Sequence, residues 1–183
     1  MTYVIDSYNE SNYSSYIPLY SGSCIAAGQS FTNTKSSILD SCKWYLNRYG
    51  SPTGNAVAKI YAETHATAFG TDSIPTGSAL ATSDNFDVAA LTADYQLILF
   101  NFSGANRIAL TAETYYVVVI EYSGGDLYNR IHIAGDGTSP THSGSYAYYD
   151  GDTWSSSAIV DRIFYVYGEG NIGTLLKYGL PYA

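Results

Sequence analysis

The sequence predicts an all-β fold, an antiparallel β-sandwich of jelly-roll type with about eight strands. Three observations carry that expectation. No window sustains a helical period. Short stretches rich in Val, Ile, Tyr, Phe and Trp alternate apolar with polar residues at period two. Gly, Pro, Asn and Asp separate these stretches at spacings suited to turns. With 183 residues the chain fits one large domain with terminal arms, and it can bury a core without disulfides or metals.

Residues 1–23 form a Tyr/Ser-rich lead-in that carries Tyr3, Tyr8, Tyr13, Tyr16 and Tyr20. Disordered leaders are usually poor in aromatics, so an extended arm is expected, laid on this domain or on a neighbour. The sandwich itself is expected over residues 24–167. Ile38, Cys42, Trp44 and Leu46 fall on one face of its first long strand, and Lys43, Tyr45 and Asn47 on the other. After the turn Gly50-Ser51-Pro52-Thr53-Gly54, the residues Ala56, Ala58, Ile60 and Ala62 alternate with Asn55, Val57, Lys59 and Tyr61. Residues 63–94, with Gly70, Pro75 and Gly77, are expected to be irregular apart from one helical turn at Val88–Leu91. Strands are then expected at 95–102, from Ile108 to Leu110, and at 115–122, 129–134, 145–149 and 159–167. Asp150-Gly151-Asp152 marks a turn between the last two. Residues 168–183 form a tail with Leu175, Leu176, Tyr178, Leu180 and Tyr182. A tail this apolar is expected to dock, either on its own sandwich or in a neighbouring subunit.

Charged residues make up only 13% of the chain, and there are 20 tyrosines. A surface of this kind makes contact through hydroxyls, amides and ring faces rather than through charge. The net charge is −8 and no basic run exists, so phosphate backbones and anionic membranes would be repelled. Nucleic acid is therefore not an expected partner. Cys24 and Cys42 lie on predicted strands, where a bridge is geometrically possible. Two buried thiols are the simpler expectation. The start Met1-Thr2-Tyr3-Val4-Ile5-Asp6 lacks the basic and apolar regions of a Sec signal peptide, and no apolar run is long enough to span a membrane. A virion protein, made inside a cell and released by lysis, would reconcile an extracellular type of surface with a missing export signal.

Several phrases, taken in order, resemble a known family. They are Ala26-Ala27-Gly28-Gln29-Ser30-Phe31, Gly50-Ser51-Pro52-Thr53-Gly54 and the stretch from Pro75 to Asp84, followed by Tyr115-Tyr116-Val117-Val118-Val119 and Asp150-Gly151-Asp152-Thr153-Trp154. Together they resemble a jelly-roll-like β-sandwich domain of phage and uncultivated-bacterial surface proteins, related to choice-of-anchor modules. The resemblance spans about residues 24–167. It implies a surface or virion setting and carries over no catalytic residue.

Candidate chemistry is sparse. His65, His132 and His142 have no metal-binding spacing, and His132, between Ile131 and Ile133, is expected to point to solvent. No G-x-S-x-G elbow, Walker loop or dinucleotide fingerprint is present, so no enzyme activity and no cofactor are expected. Asp136, Asp150 and Asp152 are weak calcium candidates that fall short of an EF-hand, and Asp-Gly-Asp is more often a tight turn. Tyr146, Tyr148, Tyr149, Asp150, Asp152 and Trp154 form a candidate ligand cluster, in which rings stack on sugar faces and acidic groups bond hydroxyls. Period two puts Tyr146 and Tyr148 on one face and Tyr149 on the other.

Two functions follow as expectations. The first is a non-enzymatic structural subunit of a virion or surface assembly, such as a phage capsid decoration or tail component. It would form a homo-oligomer through Tyr3, Tyr8, Tyr13, Leu175, Leu176, Tyr178, Leu180 and Tyr182. The second is an adhesion module that binds a surface glycan or receptor through the Tyr/Trp cluster.

Overall fold

The computed structural model describes residues 1–170. Its strands in chain order are β1 (Thr2–Tyr8), β2 (Ser15–Leu19), β3 (Ala26–Asn33), β4 (Ser37–Tyr49), β5 (Asn55–Thr64), β6 (Ile74–Thr82), β7 (Phe86–Asp87) and β8 (Gln96–Asn101). They continue as β9 (Ala109–Leu110), β10 (Thr114–Glu121), β11 (Arg130–Asp136), β12 (Tyr146–Tyr149), β13 (Trp154–Ser157), β14 (Asp161–Arg162) and β15 (Phe164–Gly170). Two antiparallel sheets form a sandwich. The eight-stranded sheet runs β1-β15-β4-β11-β14, with β8 and β9 on β4 and β2 on β11. The seven-stranded sheet runs β13-β12-β3-β10-β5-β6, with β7 on β5. No helix among the described residues is long and apolar enough to cross a membrane.

The core lies between the sheets because each inner face presents alternate residues. Cys42, Trp44 and Leu46 of β4 and Phe164 and Val166 of β15 meet Phe31, Ile60, Val118 and Ile120 of the other sheet, all fully buried. The expected placement of Ile38 on that face is corrected. In the pairing of β15 with β4, Tyr167 faces Ser41 and Gly168 faces Leu39, so Asp40 is an extra residue. This bulge flips the alternation, and Leu39 rather than Ile38 enters the core.

The lead-in is extended and takes the first of its two expected placements, on this domain, where it is built into the domain's own sheet. β1 pairs with β15 and β2 pairs with β11. Tyr8 is 7% exposed and donates its hydroxyl to Asp136 Oδ2 at 2.9 Å, so it has no free face to offer a neighbour. Tyr3 is half-buried under Lys35, whose Nζ stands 4.0 Å from the ring centre. Tyr13 stays 43% exposed and packs on Tyr95 and Tyr45. Leu175, Leu176, Tyr178, Leu180 and Tyr182 lie outside the described residues.

The segment expected to be irregular contains β6, an edge strand in spite of Pro75 and Gly77. Edge strands tolerate proline because one backbone row needs no partner. The helical turn at Val88–Ala90 is present, capped by Asp87. Cys24 and Cys42 are both buried free thiols.

His132 points outward from β11, yet it does not reach solvent. It is 7% exposed, covered by Tyr16 and Tyr49 at ring-centre distances of 4.3 and 6.1 Å. Arg130 Nε donates to its Nε2 at 3.0 Å, which fixes the neutral tautomer. Burial, with the Arg130 charge adding, lowers the pKa of His132 to about 4. Because the folded value lies below the unfolded one, this contribution is complete above about pH 6.5 and fades as the pH falls toward about 4. Relative to His132→Gln, the wild-type protein is expected to lose about 2 kcal/mol between pH 7 and 5. Urea unfolding of both proteins at the two pH values checks this. Parallel losses would mean that His132 is not the group responsible.

Candidate functional site

The β12–β13 hairpin builds the site. Its turn is closed by Asp150, whose Oδ1 accepts the N–H groups of Asp152 and Thr153, each at 3.0 Å. Gly151 takes φ +105°, a conformation a side chain would strain. The resulting register sets Tyr149 opposite Trp154, with ring centres 5.2 Å apart. Both rings stand on the outer face of the seven-stranded sheet. Tyr61 of β5 joins them, 6.3 Å from Trp154 and edge-on. Beneath the three rings lie Ala26, Val117 and Val119, which belong to a small apolar cluster separate from the main core. Gly28 keeps this floor low, since a Cβ there would come within 2.6 Å of Val118 O.

The loop from His65 to Ser73 folds over the same face. Phe69 stacks on Tyr115 at 4.0 Å, and Gly70 fits against Ser143, where a Cβ would come 2.0 Å from the carbonyl oxygen. Asp72 pins the loop by accepting Thr67 N–H at 2.8 Å and Ala68 N–H at 3.3 Å. Desolvation alone would raise the Asp72 pKa, but its hydrogen bonds with Thr67 and the Ala68 N–H outweigh it and hold the carboxyl below its ordinary range. Between this loop and β13 opens a cleft of about 300 Å³. Its lining is Thr64, His65, Ala66, Asp72, Ile74, Trp154, Ser155 and Ser156. Trp154, Ile74 and Ala66 supply apolar lining, and Thr64, Ser155, Ser156, His65 and Asp72 add hydroxyls, an imidazole and a carboxylate. His65 Nδ1 lies 3.0 Å from Glu63 Oε1, which orients the ring.

The structure splits the predicted cluster by strand face. Tyr149 and Trp154 stand together on the outer face. Tyr146 and Tyr148 turn inward and stack on one another at 5.4 Å, and Tyr146 is only 4% exposed. They pack against the main core and not beside Tyr149 and Trp154, because they share the inner face of β12. Asp150 is spent on its turn, and exposed Asp152 donates its N–H to it. Tyr61, Thr64, His65 and Asp72 were missed. Tyr61 had a signal, since it alternates with the buried Ala58 and Ile60. The loop residues had none.

The calcium candidates separate too. Asp136 Oδ1 accepts from Ser14 Oγ at 2.8 Å, Thr138 N at 2.8 Å and Ser139 N at 3.1 Å, and Oδ2 accepts from Tyr8. Burial would raise the Asp136 pKa, but these donors prevail and take it down to about 2. Its lone pairs are used inside the fold. Among the described residues, no group of three His, Cys, Asp or Glu side chains is placed to hold a metal ion.

Fold and site together define an all-β sandwich with a cleft of mixed apolar and polar lining, Trp154 among it, on one outer face. No family model matches the chain, and no curated protein matches it. Among solved structures it is similar to the cysteine protease and lectin-like domains of Cwp84, a surface layer associated protein of Clostridium difficile. The identity is 12% and the TM-score 0.49, with 81% of this chain and 32% of that one covered. This chain therefore spans about a third of that one's length. At this distance the likeness transfers no property, and it adds nothing to the resemblance to choice-of-anchor modules.

Proposed function

We propose that the protein is a non-catalytic binding module that takes a neutral sugar in the cleft beside Trp154. The observation that carries this reading is the cleft lining. One indole wall faces Thr64, Ser155, Ser156, His65 and Asp72. A pyranose presents the matching chemistry, an apolar C–H face and a rim of hydroxyls. A volume of about 300 Å³ suits one or two rings. Glycoside hydrolysis usually needs two carboxylates flanking the bond. The described lining holds one, Asp72, already engaged by two backbone N–H groups. Such a module serves attachment at a cell or particle surface. Probing the intact protein on a glycan array and titrating the hits by calorimetry tests the reading. No hit among neutral glycans would reject it.

A second reading, the structural subunit of a virion or surface assembly, has its own support. It no longer rests on the lead-in, whose strands complete this domain's sheet. It rests on the outer face of the eight-stranded sheet, where Leu97 and Leu99 are 36% and 46% exposed beside Tyr45 and Lys43. If this face joins subunits, Leu99→Asp is expected to weaken self-association by about tenfold or more. Light scattering after size exclusion reads the change. A monomeric wild-type protein, or an oligomer unaffected by the substitution, would remove that face from the assembly.

A further inference from the structure

The register of β11 and β14 sets Gly135 opposite Arg162 and Asp136 opposite Asp161. Both carboxylates beside Arg162 are committed elsewhere. Asp136 is filled by Tyr8, Ser14, Thr138 and Ser139. Asp161 accepts from Gln29 Nε2 at 2.9 Å and from His142 N at 2.8 Å. Arg162 is left 4% exposed, and none of the ion pairs among the described residues includes it. Its guanidinium carbon lies 4.0 Å from the centre of the Tyr146 ring. Its Nη1 reaches Ile133 O only at 3.5 Å, the outer limit of a hydrogen bond. Its Nε is buried without an acceptor of good geometry, and the Tyr146 hydroxyl, near enough to accept from the guanidinium, is buried with no acceptor for its own proton. The Tyr95 hydroxyl is in the same condition. The backbone facing the guanidinium is glycine, and a Cβ on Gly135 would come 2.8 Å from Nη1. Burial lowers the Arg162 pKa, and Tyr146, by its charge and by hydrogen bonding, together with Cys24 and Tyr95 opposes that shift.

A buried cation without a counter-charge is costly, and stacking on one ring offsets only part of that cost. We propose that Arg162 Nε and the Tyr146 hydroxyl hold a small monovalent anion, a halide, in the interior between the two sheets. The halide supplies the negative charge that Asp136 and Asp161 do not, and it accepts from the Arg162 Nε–H and the Tyr146 O–H, which lack an acceptor. This site is independent of the cleft beside Trp154.

Thermal unfolding of the full chain tests the proposal. Chloride or bromide replaces gluconate at constant ionic strength. The expected result is a melting temperature that rises by about 3–6 °C for each tenfold increase in halide above its dissociation constant. Arg162→Met is expected to abolish the rise. Tyr146→Phe keeps the ring and serves if Arg162→Met fails to fold; it is expected to weaken halide affinity about tenfold. Lys43→Met, which removes a half-buried cation on the outer face of the eight-stranded sheet, is expected to keep the full response. A melting temperature independent of halide would overturn the proposal, with water then the partner of these donors. An identical halide response in Tyr146→Phe and the wild type would overturn it too.

Discussion

Trp154→Ala is expected to lower affinity for the cleft's sugar about thirtyfold or more, while the protein keeps its sheet content and loses little stability. Truncating a central aromatic contact typically costs about 2 kcal/mol or more, which is the stated factor. The stability effect is smaller because Trp154 stands on the outer face. It packs on Tyr149, Tyr61 and the small cluster beneath them, not on the main core. Trp154→Phe keeps a stacking face and is expected to retain most of the affinity. Calorimetry with a sugar identified on the array gives the first quantity, and far-ultraviolet dichroism with thermal unfolding gives the second. Equal affinity in Trp154→Ala and the wild type would place the ligand elsewhere. A collapse in stability would mean that Trp154 is structural. The pair Trp154→Ala and Trp154→Phe separates stacking from simple cavity filling, since only the stacking account orders both variants.

The sandwich was legible in the sequence wherever alternation was uninterrupted. Trp44 and Leu46 on β4, and Ala56, Ala58 and Ile60 on β5, point inward as period two requires. The alternation misleads where the backbone adds a residue. Asp40 makes Leu39 the core residue in place of Ile38, and no side-chain pattern announces a bulge. Strand β6 was hidden for another reason. Pro75 and Gly77 break a central strand, but at an edge their cost disappears, and edge position is a property of topology. The same holds for β1 and β2. Their few aliphatic residues look too weak to form sheet, but their partners β15 and β11 supply the buried neighbours.

The candidate site was half legible. Period two separated Tyr149 from Tyr146 and Tyr148, and the Asp-Gly-Asp turn brought Trp154 beside Tyr149. The opposite wall was invisible. His65 and Asp72 reach the cleft because the loop after β5 folds back over the sheet, held by Phe69 on Tyr115 and Gly70 against Ser143. These contacts join residues more than forty positions apart, and no local propensity encodes them. The errors at Tyr8 and His132 share a cause. Each side chain is covered by residues distant in sequence, so its exposure could not be read from its own strand.

Gln29→Leu is expected to destabilise the protein by about 3–5 kcal/mol, the largest loss of any single polar residue in the sheet interior. Gln29 is fully buried on β3, in the seven-stranded sheet, and its amide spans to β14 of the other sheet. Its Oε1 accepts the Arg162 N–H at 2.8 Å, and its Nε2 donates to Asp161 Oδ1 at 2.9 Å. The same Nε2 lies 3.3 Å from His142 Nδ1, to which Gly144 N also donates at 3.0 Å. Leucine fills similar space but leaves a backbone donor and a carboxylate oxygen without partners in a dry interior. Each such orphan costs about 1–3 kcal/mol, and more when charged. Gln29→Glu sharpens the test. It restores an acceptor for Arg162 N–H but turns a second carboxylate oxygen toward Asp161, where like charges disfavour ionisation. Its stability deficit relative to the wild type is therefore expected to shrink as the pH falls and one of the two carboxyls takes a proton. Urea unfolding of both variants from pH 7 to pH 5 measures these effects. A Gln29→Leu loss below about 1 kcal/mol would show that the amide bridge between the sheets is dispensable.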